Sequence, residues 1–355
     1  MDSRLVNIPV VVRNDKGKLI LNLKKDDFSL EVDHKPQTIR YFDLDTDMPL
    51  TLGLLVDTSG SVRNVLDEER TASSAFLDQM LTGKDDKAFI IQFSRSVELL
   101  QDVTPSRPKL QAALKELDTQ PPGGSAPDNN PTTTSGSNNP DDSSRGGNPR
   151  GGNRGRMGSG GGTTLYDAVF LASDDVIAKQ KGRKAIVVLT DGVDRGSKES
   201  LASAIEAAQR SDCIIYAIYF KGEQPGGGYG DRGGGGGGRR GGIGFPGGGG
   251  GYPGGRSGGG GGRGPGGQGE RVDGKKILER MTQETGGRMF EVTKKETVAN
   301  IFDQIGQELR SQYRLGYIPN ADSAAEGYHK IDLAFTSKDK NKLTIQTRDG
   351  YYTGK

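Results

Sequence analysis

The chain has 355 residues, enough for two domains, and 26% of them are charged. Its 48 Lys and Arg residues nearly balance its 46 Asp and Glu residues, so the net charge of +2 gives no global field that would recruit nucleic acid or an anionic membrane. The single cysteine excludes an intrachain disulfide and a thiolate metal cluster, and no apolar run approaches the length of a membrane span.

The N-terminal part of the chain has the pattern of short β-strands. Apolar and polar side chains alternate in the runs VNIPVVV, LILNL, FSLEVD and QTIRYF between residues 5 and 44. Turns are predicted at residues 15–18 and at His34-Lys35-Pro36. Short strands with one apolar face need a partner sheet, so this segment is not expected to fold alone.

The C-terminal part of the chain has the same pattern. Strands are predicted at residues 313–318, 328–335 and 342–347. Because neither end has enough strands to close a core, we expect segments 1–48 and 313–355 to pack together as one small β-sandwich around an inserted domain. Two separate β appendages are the alternative.

Residues 49–312 alternate strands and helices, which is typical of a parallel sheet with crossover helices. Buried strands are predicted at residues 54–56, 184–190 and 213–220, and an antiparallel edge hairpin at 87–93 and 97–103. The predicted fold class is therefore α/β. It combines a doubly wound, mostly parallel, Rossmann-like sheet with the additional β-sandwich formed by the terminal segments.

Two glycine-rich segments, 121–162 and 222–269, interrupt this central domain. Their composition cannot bury enough apolar area to offset chain entropy, so both are predicted to be disordered. Runs such as Arg145-Gly146-Gly147 resemble Arg-Gly-Gly segments that bind RNA through charge and stacking. Because the arginines are sparse and acidic residues dilute them, flexible insertion is the favoured interpretation. A scaffold whose inserts bind nucleic acid or drive assembly is the alternative.

The stretch LGLLVDTSGSV, residues 52–62, ends a predicted buried strand with three oxygen-bearing side chains. Asp57, Ser59 and Ser61 follow in the order Asp-x-Ser-x-Ser. A strand that ends in a tight turn and then opens a helix places these side chains at the carboxyl edge of the sheet, where open α/β folds bind ligands. A carboxylate and two hydroxyls suit Mg²⁺, which prefers six oxygen ligands, whereas zinc would require His or Cys.

Two further stretches complete a pattern. A glycine-rich loop presents Thr163 and Thr164 in GGTTLYD, and an apolar strand ends at Asp191 in IVVLTDG. In this order the three stretches resemble the metal-ion-dependent adhesion site (MIDAS) of von Willebrand factor A-type (VWA) domains. The ligands that the resemblance implies for Mg²⁺ or Mn²⁺ are the hydroxyls of Ser59, Ser61 and Thr163, with Asp57 and Asp191 binding directly or through water. Thr164 replaces Thr163 if the loop register is shifted by one.

Each of these residues also has a purely structural interpretation. Asp or Ser after a strand is often a helix N-cap, and Asp-Gly after a strand is often a turn. The coincidence of three such positions in the family's order favours the metal site over independent caps and turns.

Nearly all of the chain outside the two inserts also resembles a bacterial subfamily of VWA-related proteins. In that subfamily a β segment precedes the metal motif and a Tyr-x-Leu-Gly-Tyr segment follows the domain, as residues 313–317 do here. The resemblance implies a secreted or periplasmic protein whose signal peptide is not present in this chain, with a cytoplasmic location as the alternative.

The predicted function is a non-enzymatic, protein-binding module for adhesion or interaction. Hydroxyl ligands leave a bound metal ion with net positive character, so a carboxylate of a partner protein completes its shell favourably. A hydrolase is disfavoured because Ser59 would need a base, and the only histidines, His34 and His329, are expected to be solvated in the terminal β segments. Asp194, close to Asp191 in sequence, is interpreted as a surface turn residue, with tuning of the metal site as the alternative.

Overall fold

The structure is a computed structural model that describes residues 5–44, 48–62, 66–117, 162–221, 273–319, 325–337, 340 and 342–354. Apart from Gly162, the predictions for the inserts 121–162 and 222–269 lie outside the described residues. In the part of the chain that is described, no helix is long and apolar enough to cross a bilayer.

In chain order the strands are β1 (Val6–Asn14), β2 (Phe28–Val32), β3 (Lys35–Gln37), β4 (Ile39–Leu44), β5 (Leu50–Asp57), β6 (Lys87–Phe93), β7 (Val97–Thr104), β8 (Arg183–Thr190), β9 (Ile214–Tyr219), β10 (Met289–Glu291), β11 (Tyr313–Tyr317), β12 (Gly327–Phe335), β13 (Leu343–Gln346) and β14 (Gly350–Thr353). The α-helices are α1 (Leu66–Met80), α2 (Arg107–Glu116), α3 (Leu165–Leu171), α4 (Leu201–Arg210), α5 (Gly274–Thr285) and α6 (Val298–Arg310). A π-helical turn, Ala172–Ile177, extends α3.

The central sheet has six strands in the order β10-β9-β8-β5-β6-β7. Its strand pairs are parallel except for the edge pair of β6 with β7, which is the predicted antiparallel hairpin. Every residue of β5 is buried, because this strand lies in the middle of the sheet and helices cover both faces. The predicted α/β fold class is therefore confirmed.

The two faces of the central sheet carry separate apolar cores. Buried side chains of α1, α2 and α6 pack on one face, where the rings of Phe76 and Phe302 stack with centroids 4.3 Å apart. Buried side chains of α3, α4 and α5 pack on the other face. Each helix presents an apolar stripe to the sheet, as its three- and four-residue spacing predicts.

The terminal segments form two four-stranded sheets, in the orders β13-β1-β11-β4 and β14-β12-β2-β3. Each sheet contains strands from both ends of the chain, and β1 pairs antiparallel with both β11 and β13. Apolar side chains from both sheets share one core, which includes Ile8, Phe28, Tyr313 and Ile331. The predicted β-sandwich is confirmed, and two separate appendages are excluded.

Two local predictions within the sandwich are wrong. The run LILNL is not a strand, because the side chain of Tyr313 binds its backbone: Leu23 N donates to the Tyr313 hydroxyl at 3.0 Å, and this hydroxyl donates to the Ile20 carbonyl at 2.9 Å. The predicted turn lies earlier, at Asp33 and His34, whose φ values are 51° and 62°. The following Lys35-Pro36 belongs to β3, an edge strand, where proline is tolerated.

His329 was expected to be solvated, yet it is only 5% exposed. Its Nδ1 lies 2.8 Å from Asp33 Oδ2, and its Nε2 lies 2.8 Å from the Ala325 carbonyl oxygen. The position of His329 at the start of a predicted strand did not indicate its burial, because its partner Asp33 lies in a distant part of the chain. His34 is exposed, as predicted.

The junction between sandwich and central sheet lies at the amino edge of that sheet. Arg183, the first residue of β8, donates from Nε to the Met48 carbonyl at 2.9 Å and from Nη1 to the Leu309 carbonyl at 2.8 Å. Its backbone N–H donates to the Pro49 carbonyl at 2.9 Å. One arginine therefore binds both points at which the chain passes between the sandwich and the central domain.

A buried ion cluster also spans this boundary. Glu308 of α6 is 2% exposed, and its Oε2 lies 2.5 Å from Nη2 of Arg13 in β1. Its Oε1 lies 3.0 Å from Nη2 of Arg288, which precedes β10. Burial, together with the Glu308 charge, raises the pKa of the neighbouring Tyr216 hydroxyl. The carboxylate thus holds two guanidinium groups from different parts of the chain.

We expect Glu308→Ala to lower the free energy of unfolding by about 3–5 kcal/mol, because it leaves two largely buried guanidinium groups without their shared anion. Urea denaturation at pH 7 measures the change. Arg280→Ala is the control, since it removes the exposed Arg280–Glu284 pair and should cost less than about 1 kcal/mol. Equal effects of the two substitutions would contradict a structural role for the cluster.

Candidate metal centre

Asp57, the last residue of β5, is held in one orientation at the carboxyl edge of the central sheet. The Thr190 hydroxyl at the end of β8 donates to Asp57 Oδ2 at 2.6 Å. The Ser59 backbone N–H donates to Asp57 Oδ1 at 2.8 Å. The carboxylate is fully buried and each of its oxygens accepts a hydrogen bond, so its position does not depend on solvent.

Ser59 and Ser61 lie in the turn that follows β5. Their hydroxyl oxygens are 3.0 Å apart, both side chains are half-buried, and the intervening Gly60 is exposed. The two hydroxyls therefore lie side by side between the buried Asp57 carboxylate and solvent.

The glycine-rich loop crosses the end of β5. On one side, Thr164 donates from both its backbone N–H and its hydroxyl to the Ser94 carbonyl, at 2.9 and 3.2 Å, just after β6. On the other side, the Thr163 carbonyl accepts from the N–H groups of Arg195 and Gly196, at 3.0 and 3.1 Å, in the loop after β8. Because β5 lies between β6 and β8, the loop lies over Asp57. The Thr164 hydroxyl is already bound, which favours Thr163 as the candidate ligand.

Asp191 follows β8 directly and is 9% exposed. Its Oδ1 accepts the Val193 N–H at 3.1 Å, which closes a turn around Gly192. Gly192 has a φ of 74°, and a Cβ there would come within 2.4 Å of the Gly274 carbonyl oxygen at the start of α5. Only glycine fits this close approach of two backbones, so the Asp191 turn is fixed by packing.

Two further aspartates brace the loop that follows Asp191. Asp194 Oδ2 accepts from the Tyr166 N–H at 3.2 Å and from the Ser197 hydroxyl at 2.5 Å. Asp167 Oδ1 accepts the Glu199 N–H at 2.8 Å. The interpretation of Asp194 as a simple surface turn residue is therefore incomplete, because it ties this loop to the start of α3, directly after the threonine loop.

The negative charges of the site lie close enough to affect one another. Burial raises the pKa of Asp57 to about 6, although the hydrogen bonds from Thr190 and Ser59 oppose the shift, and the charge of Asp191 adds to it. Burial also raises the pKa of Glu69 on α1 well above its usual range, and the charge of Asp57 contributes to that shift. The structure thus places a third carboxylate close to the predicted metal residues.

The donor set fits a hard cation. It consists of hydroxyl and carboxylate oxygens. Among the described residues, no group of three or more His, Cys, Asp and Glu side chains is arranged for a metal, so the candidate site depends on its Ser and Thr hydroxyls. Both histidines lie in the sandwich and Cys213 is buried in the core, so nitrogen and sulfur ligands for zinc are remote. Magnesium and manganese accept such oxygen ligands.

The sequence analysis missed Thr190 and Glu69. Thr190 precedes Asp191 in the motif, but its inward orientation depends on the register of β8 against β5, which pairs Leu189 with Val56. The burial of Glu69 was predictable from its spacing, because it lies three residues before Ala72 and seven before Phe76, on the apolar stripe of α1. A charged residue at such a position points to a buried polar site.

Asp57→Asn should stabilise the metal-free protein at neutral pH. A carboxyl group whose pKa is about 6 in the folded state, against 3.8 for the ordinary group, stabilises the folded state fully below about pH 4, and this contribution is lost as the pH rises through 6. In chelator at pH 7.5 the neutral variant should gain up to about 3 kcal/mol in free energy of unfolding, and the gain should disappear near pH 4.

Urea denaturation between these pH values tests this. Asp67→Asn is the control, because the Asp67 side chain is 95% exposed and its replacement should leave the pH profile unchanged. A lower stability of Asp57→Asn at every pH would show that the lost acceptors for Thr190 and Ser59 outweigh the charge.

The family model of the von Willebrand factor type A domain matches residues 52–134. No curated protein matches the chain. Among solved structures, the chain is similar to the conserved hypothetical protein BatB from Bacteroides thetaiotaomicron, with 14% identity and a TM-score of 0.42, over 73% of this chain and 97% of that chain. It is also similar to the vWF domain of the type V pili tip protein Mfa5 from Porphyromonas gingivalis, with 10% identity and a TM-score of 0.43, over 74% and 95%.

A third similar structure is proximal thread matrix protein 1 from the mussel byssus with a zinc-occupied MIDAS motif. The identity is 12%, the TM-score is 0.44, and the match covers 78% of this chain and 49% of that one, so the chain spans about half of that protein. Residues 52–134 therefore match the model of the VWA domain, a module that generally mediates protein interactions.

Proposed function

We propose that this VWA domain binds a partner protein through a divalent cation, Mg²⁺ or Mn²⁺, to which the partner contributes a carboxylate. The observation that carries the proposal is the pair of half-buried hydroxyls, 3.0 Å apart, in front of the buried and fixed Asp57 carboxylate. The proposed protein ligands are Asp57, Ser59, Ser61, Thr163 and Asp191.

The charge balance of the site supports a cation. Asp57 and Asp191 are both largely buried, and the charge of Asp191 disfavours the charge of Asp57. A divalent cation removes this repulsion, whereas the hydrogen bonds from Thr190 and Ser59 only reduce it. Relief of the repulsion between the two carboxylates therefore favours the binding of a cation.

The exposure of the site supports a protein ligand. Ser59 and Ser61 are reached by solvent, and their hydroxyls are uncharged ligands. A cation bound by them therefore keeps positive charge on the side that faces solvent. An acidic side chain of a partner complements that charge. The secreted or periplasmic location that the family resemblance implies remains a prediction.

A hydrolase receives less support. His329 is bound to Asp33 and His34 is exposed, and both lie in the sandwich rather than beside Ser59. A histidine base for Ser59 is therefore remote. Nucleic-acid binding through the glycine-rich inserts concerns residues outside those described and also remains a prediction.

Calorimetric titration of MgCl₂ or MnCl₂ into chelator-treated protein should give a one-site isotherm. Ser59→Ala combined with Ser61→Ala should weaken binding by at least about tenfold, because two oxygen ligands are lost. Ser106→Ala is the matched control: it replaces a half-buried serine, which makes no side-chain capping bond, beyond the end of the antiparallel edge strand β7. An unchanged affinity in the double variant would contradict the proposed ligand set.

The carboxylate is tested with a glutamate-rich peptide and its glutamine counterpart. Binding of the acidic peptide measured by fluorescence anisotropy should require Mg²⁺ and vanish in chelator, and the glutamine peptide should bind at least about tenfold more weakly. Equal binding of both peptides, or binding that persists in chelator, would refute a metal-bridged carboxylate.

A further inference from the structure

Glu69 is a buried acid without a visible partner. It lies in the first turn of α1, is 1% exposed, and neither of its carboxylate oxygens has a hydrogen-bond partner among the described residues. The Ser73 hydroxyl, one turn further along the same buried face, is fully buried and also lacks a partner among them. Two polar groups of one helix face are therefore unsatisfied at adjacent positions.

Such an arrangement is costly in a metal-free core. An uncompensated buried carboxylate loses its hydration, and the weakly positive end of the helix does not replace it. The other buried residues in the first half of α1, such as Leu66 and Ala72, are small or apolar. An apolar side chain at residue 69 would suit the core better, so the carboxylate has a role that the protein atoms alone do not explain.

The position of Glu69 connects it to the cation site. The Asp57–Ser61 turn leads into α1, and Glu69 is close enough to Asp57 for the two carboxylates to interact electrostatically. Ser59 and Ser61 lie on the solvent side of Asp57, whereas Glu69 lies within the protein. Glu69 thus brings a further carboxyl group, itself buried, close to the Asp57 carboxylate.

We propose that Glu69 is a further carboxylate of the cation site, which accepts hydrogen bonds from water molecules bound to the cation. This inference rests on the proposed function, and it extends the ligand set beyond the five residues of the motif. It explains why a carboxylate is kept on an apolar helix face. Because Glu69 is buried, its charge strengthens cation binding without covering the open side that faces a partner.

Calorimetric titration of MgCl₂ into the chelator-treated full chain tests this proposal. Glu69→Gln keeps the shape of the side chain and removes its charge, and it should raise the dissociation constant by about 10–100-fold, the usual effect of removing a carboxylate that supports metal ligands indirectly. Glu68→Gln is the matched control, because Glu68 is the exposed neighbour on the same turn, and its dissociation constant should stay within about twofold of wild type.

A second measurement separates this role from a structural one. Urea denaturation in chelator should show Glu69→Gln at least as stable as wild type, because glutamine replaces a buried carboxyl group that has no hydrogen-bond partner among the described residues. Glu69→Asp keeps the charge but withdraws it by one methylene, so its dissociation constant should lie between those of wild type and Glu69→Gln. Wild-type affinity in both variants would overturn the role of Glu69 and leave the proposed function intact. Absence of Mg²⁺ and Mn²⁺ binding by the wild type would overturn the proposed function itself.

Discussion

The hydrogen bond from Thr190 to Asp57 joins the ends of two adjacent parallel strands, and the rest of the site depends on it. It forms because β5 and β8 pair in a register that brings both residues to the same edge. Thr190 also accepts the Gly192 N–H at 3.1 Å, so one hydroxyl fixes both the buried carboxylate and the turn that carries Asp191. The candidate metal residues Asp57 and Asp191 are thus positioned by the pairing of the strands that they follow or end.

Much of the fold could be predicted because hydrophobic periodicity reports burial directly. The buried strands, the edge hairpin and the pairing of the two chain ends all follow from such patterns. The failures occur where one distant side chain decides the local structure. Residues 19–23 alternate like a strand, but the Tyr313 hydroxyl satisfies their backbone from the other end of the chain. The burial of His329 likewise depends on Asp33, which a local pattern does not contain.

The candidate site was predictable as a set of motifs but not as a network. Asp57, Ser59, Ser61 and Asp191 were identified because each ends a strand or follows one. The supporting contacts of Thr190 and Asp194 depend on which strands and loops become neighbours, and this is known only once the sheet order is known. Glu69 and Glu308 illustrate two outcomes for a buried acid: Glu308 is compensated by two arginines, whereas Glu69 has no cation among the described residues.

Arg183 binds both points at which the chain passes between the sandwich and the central domain, at the amino edge of the sheet. Asp57 lies at the opposite, carboxyl edge. The strand β5 therefore defines a direction along which force can pass through the domain. The eight residues of β5 separate these points by about 26 Å. A pulling force applied by a partner at the proposed cation site would run along β5 towards the sandwich. It would load the hydrogen bonds between β5 and its two parallel neighbours together in shear rather than one after another. The central strand therefore connects the site to the sandwich as a stiff tether.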